Sequence, residues 1–276
     1  LDFKGLEAVI ICSPNFLHKE NILEALKRNL AVFVEKPITS KVDDAEGILA
    51  SLNSSHTLVV GHCYRFKNVF IEARKFIKKG HLGDLISIQI CMNMNIPKAG
   101  WRFQNRFGGG VSLELGIHVI DSIRFLSEQE FISVFAVGQH CNDDKEELID
   151  TSVHVLGELE QNIPVSLSYS FTNPYKTEFS IIGTKGELHG SYALRGDDDG
   201  KEKLYFHDLN EKKTELLTSK QNIYFQELKH FSEVIQGGNS CLTPQNATRN
   251  LEVIKAIKNS IKYKKREELT YSLLIL

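Results

Sequence analysis

Three side chains have the types and spacing needed to move a proton off a hydroxyl group. Lys36 stands in Glu35-Lys36-Pro37, closing the apolar run Leu30-Ala31-Val32-Phe33-Val34. An ammonium at the end of a strand can stabilise a developing alkoxide or orient a hydroxyl. Far downstream, Glu114 and His118 are four residues apart and Asp121 follows three later, a spacing that puts all three on one helical face. An imidazole takes or gives a proton near neutral pH, and Glu114 can orient it or relay the proton. Other readings stand beside this one. Lys36 can be a surface lysine paired with Glu35. The helical face can simply be polar and exposed to water, or can hold a His–Glu pair bonded within the helix. A carboxylate and an imidazole at this spacing can also share a metal ion, although no clear third ligand stands nearby in the sequence.

Just upstream lies Gly108-Gly109-Gly110, either a place where the backbone approaches a ligand, with the helix N-terminus favouring an anion, or a plain flexible turn. Trp101, the only tryptophan, can stack on a sugar ring or fill a core, and Arg102 is its neighbour.

Composition narrows the classes. The 276 residues suffice for one large or two modest domains, with 42% apolar and 25% charged residues. A net charge of -2 gives no reason to expect nucleic acid or an acidic membrane as a partner, and the short basic run at 262–266 has acidic neighbours. The cysteines Cys12, Cys63, Cys91, Cys141 and Cys241 are scattered and odd in number, which suits free thiols in a reducing compartment and not a disulfide framework or zinc ribbon. No apolar stretch has the length of a membrane span and no signal peptide is visible, so the expected location is cytoplasmic.

These side chains need elements to position them. Ala8–Cys12, Ala31–Val34 and Thr57–Gly61 are continuous apolar runs, each expected to be a strand buried on both faces. Helices are expected from about His18 to Arg28 and after Ser40, which reads as an N-cap with Asp43 as a weak capping box. Strand–helix–strand–helix–strand with short links predicts a parallel sheet of right-handed crossovers. After residue 61 the pattern changes. A helix over Val69–Lys79, a strand over Leu85–Met92 and a helix from the triple glycine to Leu126 precede the strands Phe131–Gln139, Thr151–Glu160, Pro164–Phe171, Lys176–Gly183 and Lys203–His207. Such consecutive strands predict an antiparallel sheet. Two helices, near Gln221–Gln236 and from Pro244, close the chain; Asp197-Asp198-Asp199-Gly200 reads as a surface loop. The expected class is thus α/β, a partial doubly wound (Rossmann-like) parallel sheet, followed by an α+β domain with a large, mostly antiparallel sheet. The division falls at 1–62, the end of a dinucleotide-binding domain, and 63–276, a substrate-binding and oligomerisation domain.

Six segments in order, AVIICSPNFLH, VFVEKP, VGHCYRF, GHLGDLISI, GWRFQNRFGGGVSLELGIHVID and IIGTKGEL, resemble the glucose–fructose oxidoreductase and inositol dehydrogenase family, also called Gfo/Idh/MocA. The likeness spans nearly the whole chain. It is specific at the EKP and GGG…GxHxxD segments and generic in the later strands. It implies an NAD- or NADP-dependent oxidoreductase acting on a sugar, sugar nucleotide or cyclitol. By the resemblance, Lys36 contacts the reacting hydroxyl and the nicotinamide ribose, His118 is the general acid/base, and Glu114 assists. Ser13, Pro14, Asn15, His18 and Glu35 approach the dinucleotide, while Trp101, Arg102, Asp121 and His118 face the substrate. Many members carry aspartate where Glu114 stands, and the extra methylene shifts its reach. The resemblance also implies a homo-oligomer, a dimer or tetramer; no resident metal is expected, for want of a third ligand beside Glu114 and His118.

One part of the family pattern is missing. There is no GxGxxG, and the first strand here resembles the family's fourth. The opening at Leu1, a few residues before a buried strand, reads as a piece of a longer protein. Without the glycine turn the pyrophosphate loses its main binding site, so impaired cofactor binding is expected. Ala8–Cys12 then becomes an apolar edge strand, unpaired along one side. The alternative function is a non-catalytic carbohydrate-binding or scaffold protein derived from the family.

Overall fold

The computed structural model describes residues 4–142, 148–193 and 201–271; the acidic loop expected at 197–200 lies outside them. Strand β1 (Ala8–Ile11), helix α1 (His18–Lys27), β2 (Ala31–Glu35), α2 (Val42–Ser51) and β3 (Leu58–Gly61) follow in order. The three strands make a parallel sheet in the order β1-β2-β3, with Val9 opposite Val32 and Glu35 opposite Gly61. β1 forms an edge, and Ile10 is half exposed there. Ser40 does not cap α2. The helix begins at Val42 after an extended Lys41 with no side-chain cap, and the hydroxyl that acts in this turn is that of Thr39, which donates to Lys41 O at 2.7 Å. Asp43 and Asp44 instead meet the positive end of the helix dipole, and Asp44 also holds Lys19 at 2.6 Å.

Helix α3 (Asn68–Lys78) leads into β4 (Leu85–Asn95), and α4 (Ile117–Ser127) into β5 (Phe131–Asn142), β6 (Leu148–Leu159), β7 (Ile163–Ser170), β8 (Thr172–Gly183), β9 (Gly186–Ser191), β10 (Glu202–Asp208) and β11 (Lys213–Ser219). Helices α5 (Ile223–Ile235) and α6 (Pro244–Tyr263) precede the two-residue β12 (Glu267–Glu268). Nine strands form one sheet in the order β11-β10-β9-β8-β4-β7-β6-β5-β12, antiparallel except where β4 runs beside β7. Three of these strands were not expected from sequence. β9 returns after the tight turn at Thr184-Lys185, β11 is a polar edge strand, and β12 exists only through its pairing with β5.

The end of the chain completes the small sheet. Along β2 the buried residues alternate, with Val32 and Val34 in the main core together with Ile22 of α1 and Ile48 of α2. Phe33 and Val59 point to the other face, where they meet Phe231 of α5 and Leu242. The Phe33 and Phe231 rings are 5.6 Å apart, and Val60 N–H donates to Leu242 O at 3.1 Å. α6 packs along α2. A parallel strand that is apolar on both faces needs cover on both, and α5 supplies the second. Among the described residues no helix is long and apolar enough to cross a membrane, and all five cysteines are free.

Candidate active site

The carboxyl ends of β1 and β2 open on a cavity of about 600 Å³, within the size range of small-ligand sites. Lys36 enters it from the end of β2, next to a cis Lys36–Pro37 peptide. It is no free surface lysine. Its Nζ donates to Glu114 O at 2.9 Å and lies 3.6 Å from Glu114 Oε2. Arg102 Nε stands 3.2 Å from the other carboxylate oxygen. Burial pushes the Glu114 carboxyl up, but Lys36 and Arg102 outweigh it and hold the group below its usual value. Glu35 goes the opposite way: burial raises its pKa, Glu114 adds to the rise, and Lys36 only partly offsets it.

His118 reaches the same cavity from α4. The element before it is a π-turn over Ser112–Gly116, so Glu114 and His118 do not follow the plain helical spacing, and no hydrogen bond joins them among the described residues. The imidazole is buried, stacks on Tyr64 at 4.3 Å with the planes 18° apart, and has no partner at Nδ1. Burial first, then the charges of Lys36 and Lys67, holds its pKa well below the ordinary histidine value, against an opposing pull from Asp121. The exposed polar face and the intrahelical His–Glu pair both give way to a buried, neutral base in the cavity wall. Among the described residues no three His, Cys, Asp or Glu side chains are grouped to hold a metal ion.

Tyr64, which sequence reading passed over, is clamped in turn. Lys67 Nζ sits 4.9 Å over its ring and 3.5 Å from Glu202 Oε1, with both charged groups buried. Asp121 does not line the cavity. It is buried behind His118, where Arg65 donates to its two oxygens at 2.9 and 2.7 Å and Asn250 Nδ2 at 2.9 Å. His62 lies 3.8 Å away, and burial lowers its pKa to about 4, so it is neutral at pH 7.

The remaining expected residues divide. Ser13, Asn15, His18, Glu35, Trp101 and Arg102 line the cavity; Pro14 does not, but begins the turn that presents Asn15. His18 ties the β1 and β2 loops together, its ring nitrogens 2.9 Å from Pro37 O and 2.7 Å from Ser13 O. Trp101 packs under Arg102, 4.9 Å from its guanidinium. The triple glycine is neither a flexible turn nor an open anion cradle. Asp150 already occupies that helix start, accepting from Ser112 N at 2.8 Å, and a Cβ at Gly110 would fall 2.1 Å from its Oδ1. Cys12, Cys63, Tyr64 and Tyr224 also line the cavity.

Residues 2–62 match the model of the oxidoreductase family with an NAD-binding Rossmann fold, and residues 70–189 match the GFO/IDH/MocA C-terminal domain. The chain belongs to this oxidoreductase family. It is 26% identical over 271 residues to the scyllo-inositol 2-dehydrogenase (NAD(+)) of Bacillus subtilis, covering 95% of this chain and 77% of that protein. It is 23% identical over 282 residues to the scyllo-inositol 2-dehydrogenase (NADP(+)) of the same organism, covering 95% and 78%. The crystal structure of an aldose-aldose oxidoreductase from Caulobacter crescentus has the same fold, with a TM-score of 0.86, 22% identity, and 97% of this chain and 81% of that one covered. The residues present fit the nicotinamide end of such a cofactor. Asn15 Oδ1 and His118 Nδ1 are buried without a protein partner beside the cavity, as a ligand rich in hydroxyl and amide groups requires.

Proposed function

We propose that the protein interconverts a hydroxyl and a keto group on a sugar, sugar nucleotide or cyclitol, with NAD or NADP as its partner in the redox step. The observation that carries this is the meeting of Lys36, Glu114 and His118 in one cavity at the carboxyl ends of the parallel strands, where open α/β sheets bind ligands. The two inositol dehydrogenases just described, one named for each cofactor, favour the substrate class. The nicotinamide ring, when bound, supplies the site that accepts or donates hydride. Ser13, Asn15, Glu35 and Lys36 are the residues to hold that end of the cofactor.

The chain's own groups handle the proton. Lys36 donates to the reacting oxygen and favours its anionic form. His118, neutral at pH 7, accepts the hydroxyl proton through its imidazole and returns it in the reverse direction. Glu114 is ionised and held by two cations, which suits it to aim Lys36 and not to relay a proton. Trp101 and Arg102 form the substrate side of the cavity. Asp121 takes no substrate and anchors α4 behind His118. A non-catalytic carbohydrate binder has no need of a buried, desolvated imidazole next to an ammonium.

Titration of the purified chain with NADH and NADPH, followed by nicotinamide fluorescence, tests this directly. Saturable enhancement with at least one of them is expected, and turnover should follow in a panel of polyols and sugars. No saturable change with either rules out the redox function for this chain.

The large sheet also favours a homo-oligomer. One face is covered by α3, α4 and α6, whereas the other presents Phe135 beside Leu156 and Val137 beside His154, all on neighbouring strands and open. A second copy laid on this face makes a homo-oligomer and removes that apolar patch from water. Sedimentation should show a dimer or larger, and Leu156→Glu should shift it to the monomer.

A further inference from the structure

The helix that carries His118 starts irregularly, and the irregular part carries Glu114. Over Ser112–Gly116 the backbone makes a π-turn, in which Ile117 N–H reaches back to Ser112 O. Turns of this kind occur most often at functional sites. Taking an extra residue into one turn shifts what precedes it by up to about 100° around the helix axis. Here the shift takes Glu114 off the face of His118 and toward the end of β2. Glu114 O accepts from Lys36 Nζ at 2.9 Å, across 78 residues of chain. A main-chain carbonyl has no rotamer to change, so the place of the ammonium follows the place of the turn.

Two side chains of the large sheet grip this turn. Tyr169, on β7, is fully buried beneath it, and its hydroxyl shares a hydrogen bond of 3.2 Å with Ser112 Oγ. Its ring lies against Gly116, where an added Cβ would stand 2.7 Å from Cζ and 3.0 Å from Cε2. A glycine is what lets ring and turn come so close. Asp150, on the neighbouring strand β6, is buried too and accepts from Ser112 N–H through Oδ2 at 2.8 Å. Its other oxygen fills the space over Gly110, whose φ of 108° favours glycine. The turn is thus tied to the sheet at its first amide and first hydroxyl, and is met by a ring at its last residue. Neither Tyr169 nor Asp150 lines the cavity, so each acts on it through the turn.

We propose that Tyr169 and Asp150 are positioning residues for the proton-handling site: from the large sheet they hold the π-turn, and the turn sets Lys36 through the Glu114 carbonyl. The catalytic consequence rests on the redox function proposed above, whereas the mechanical link to Lys36 does not. The ammonium at the end of the small sheet is thereby placed by strands of the large one. A misplacement of about 1 Å is enough to cost a reacting group much of its effect, so slack in this grip is felt in turnover before it is felt in binding.

Two readouts test this, turnover and the reactivity of the Lys36 amine. Trace acetylation with acetic anhydride, followed by peptide mass spectrometry, reports each lysine separately and needs neither cofactor nor turnover. In wild type, Lys36 is held by the carbonyl and should label slowly beside the exposed Lys27. Gly116→Ala forces turn and ring apart. Its Lys36 should label about tenfold faster, the loss of one hydrogen bond to a charged group, and kcat should fall by about as much with KM little changed. Tyr169→Phe and Ser112→Ala each remove only the buried hydroxyl contact. Each should change both readouts by about threefold, and the double variant no further than either alone. Asp150→Ala should act like Gly116→Ala, and Asp150→Asn, which keeps an acceptor for Ser112 N–H, should recover most of the loss. If Gly116→Ala fails to fold, the two hydroxyl variants carry the same test by themselves. Folded variants that label at Lys36 like wild type overturn the positioning role, whatever their turnover. Faster labelling with unchanged kcat overturns its catalytic consequence. If wild type binds neither NADH nor NADPH, the redox function falls, and faster labelling of Lys36 in the variants still upholds the mechanical link.

Discussion

The two walls of the cavity solve the same problem in opposite ways. On the β2 side, the Lys36 ammonium, the Glu114 carboxylate and the Arg102 guanidinium form a ladder of alternating sign, partly open to water. On the α4 side, His118 has no such partner; it is stacked, buried and neutral. A group that must donate to an oxygen anion needs its charge supported, whereas a group that must receive a proton needs to be empty beforehand. The fold supplies pairing for the first and burial for the second, within one cavity.

The sharpest break in that contrast is removal of either pole. His118→Ala should lower turnover by about a hundred- to ten-thousand-fold, the usual contribution of a general base. Lys36→Ala should lower it by about a hundred- to a thousand-fold, as for an oxyanion donor. In both cases the circular dichroism spectrum should be unchanged, and near-normal turnover in either variant removes that residue from the chemistry. Asp121→Ala attacks the neutral side from behind. It leaves Arg65 buried without its carboxylate and should cost about 3–5 kcal/mol in denaturant unfolding; a loss below about 1 kcal/mol would mean that Arg65 finds water in its place.

Glu114→Gln weakens the charged side only. Lys36 keeps its hydrogen bond to Glu114 O and loses only the ion pair at 3.6 Å, so kcat/KM should fall about fivefold. The pH profile should keep its shape, and a lost ionisation would return Glu114 to the role of proton relay. The smallest effect belongs to the stack. His118 has a folded pKa below its unfolded value, so its neutral form persists to lower pH than a free imidazole, and stability linked to it is lost as pH falls below the usual histidine range. Tyr64→Leu admits water to the ring and forfeits about 0.5–1.5 kcal/mol of stacking. The acid limb of kcat/KM should therefore move up in pH, and Tyr64→Phe should restore it. Equal profiles for all three proteins would make the stack structural only.

What could be read from the linear chain followed the strength of local signals. Val32, Phe33 and Val34 announce a strand buried on both faces because every one of them is apolar, and the parallel sheet followed from that. Lys36, Glu114 and His118 were legible as candidates through the strand end, the four-residue spacing and the family-like segments around them. Their partners were not. Tyr64 reads as an ordinary core aromatic, and only the fold shows it against an imidazole. Asp121 shares a helical repeat with His118, yet Arg65, fifty-six residues away, turns it inward. The π-turn at Ser112–Gly116 leaves no trace in a pattern that assumes 3.6 residues per turn. Ser40 misled because a serine three residues before an aspartate is a common helix start, whereas α2 begins at Val42 with no side-chain cap.

The cover that α5 and Leu242 give to Phe33 and Val59 also bears on how the protein is made. A ribosome releases β2 and β3 about 170 residues before it releases α5, which at common elongation rates is a delay on the order of ten seconds. Through that interval one side of the small sheet stays bare, and the cavity lacks Tyr224. The cavity wall that Tyr224 supplies therefore arrives last, after every other lining residue has left the ribosome.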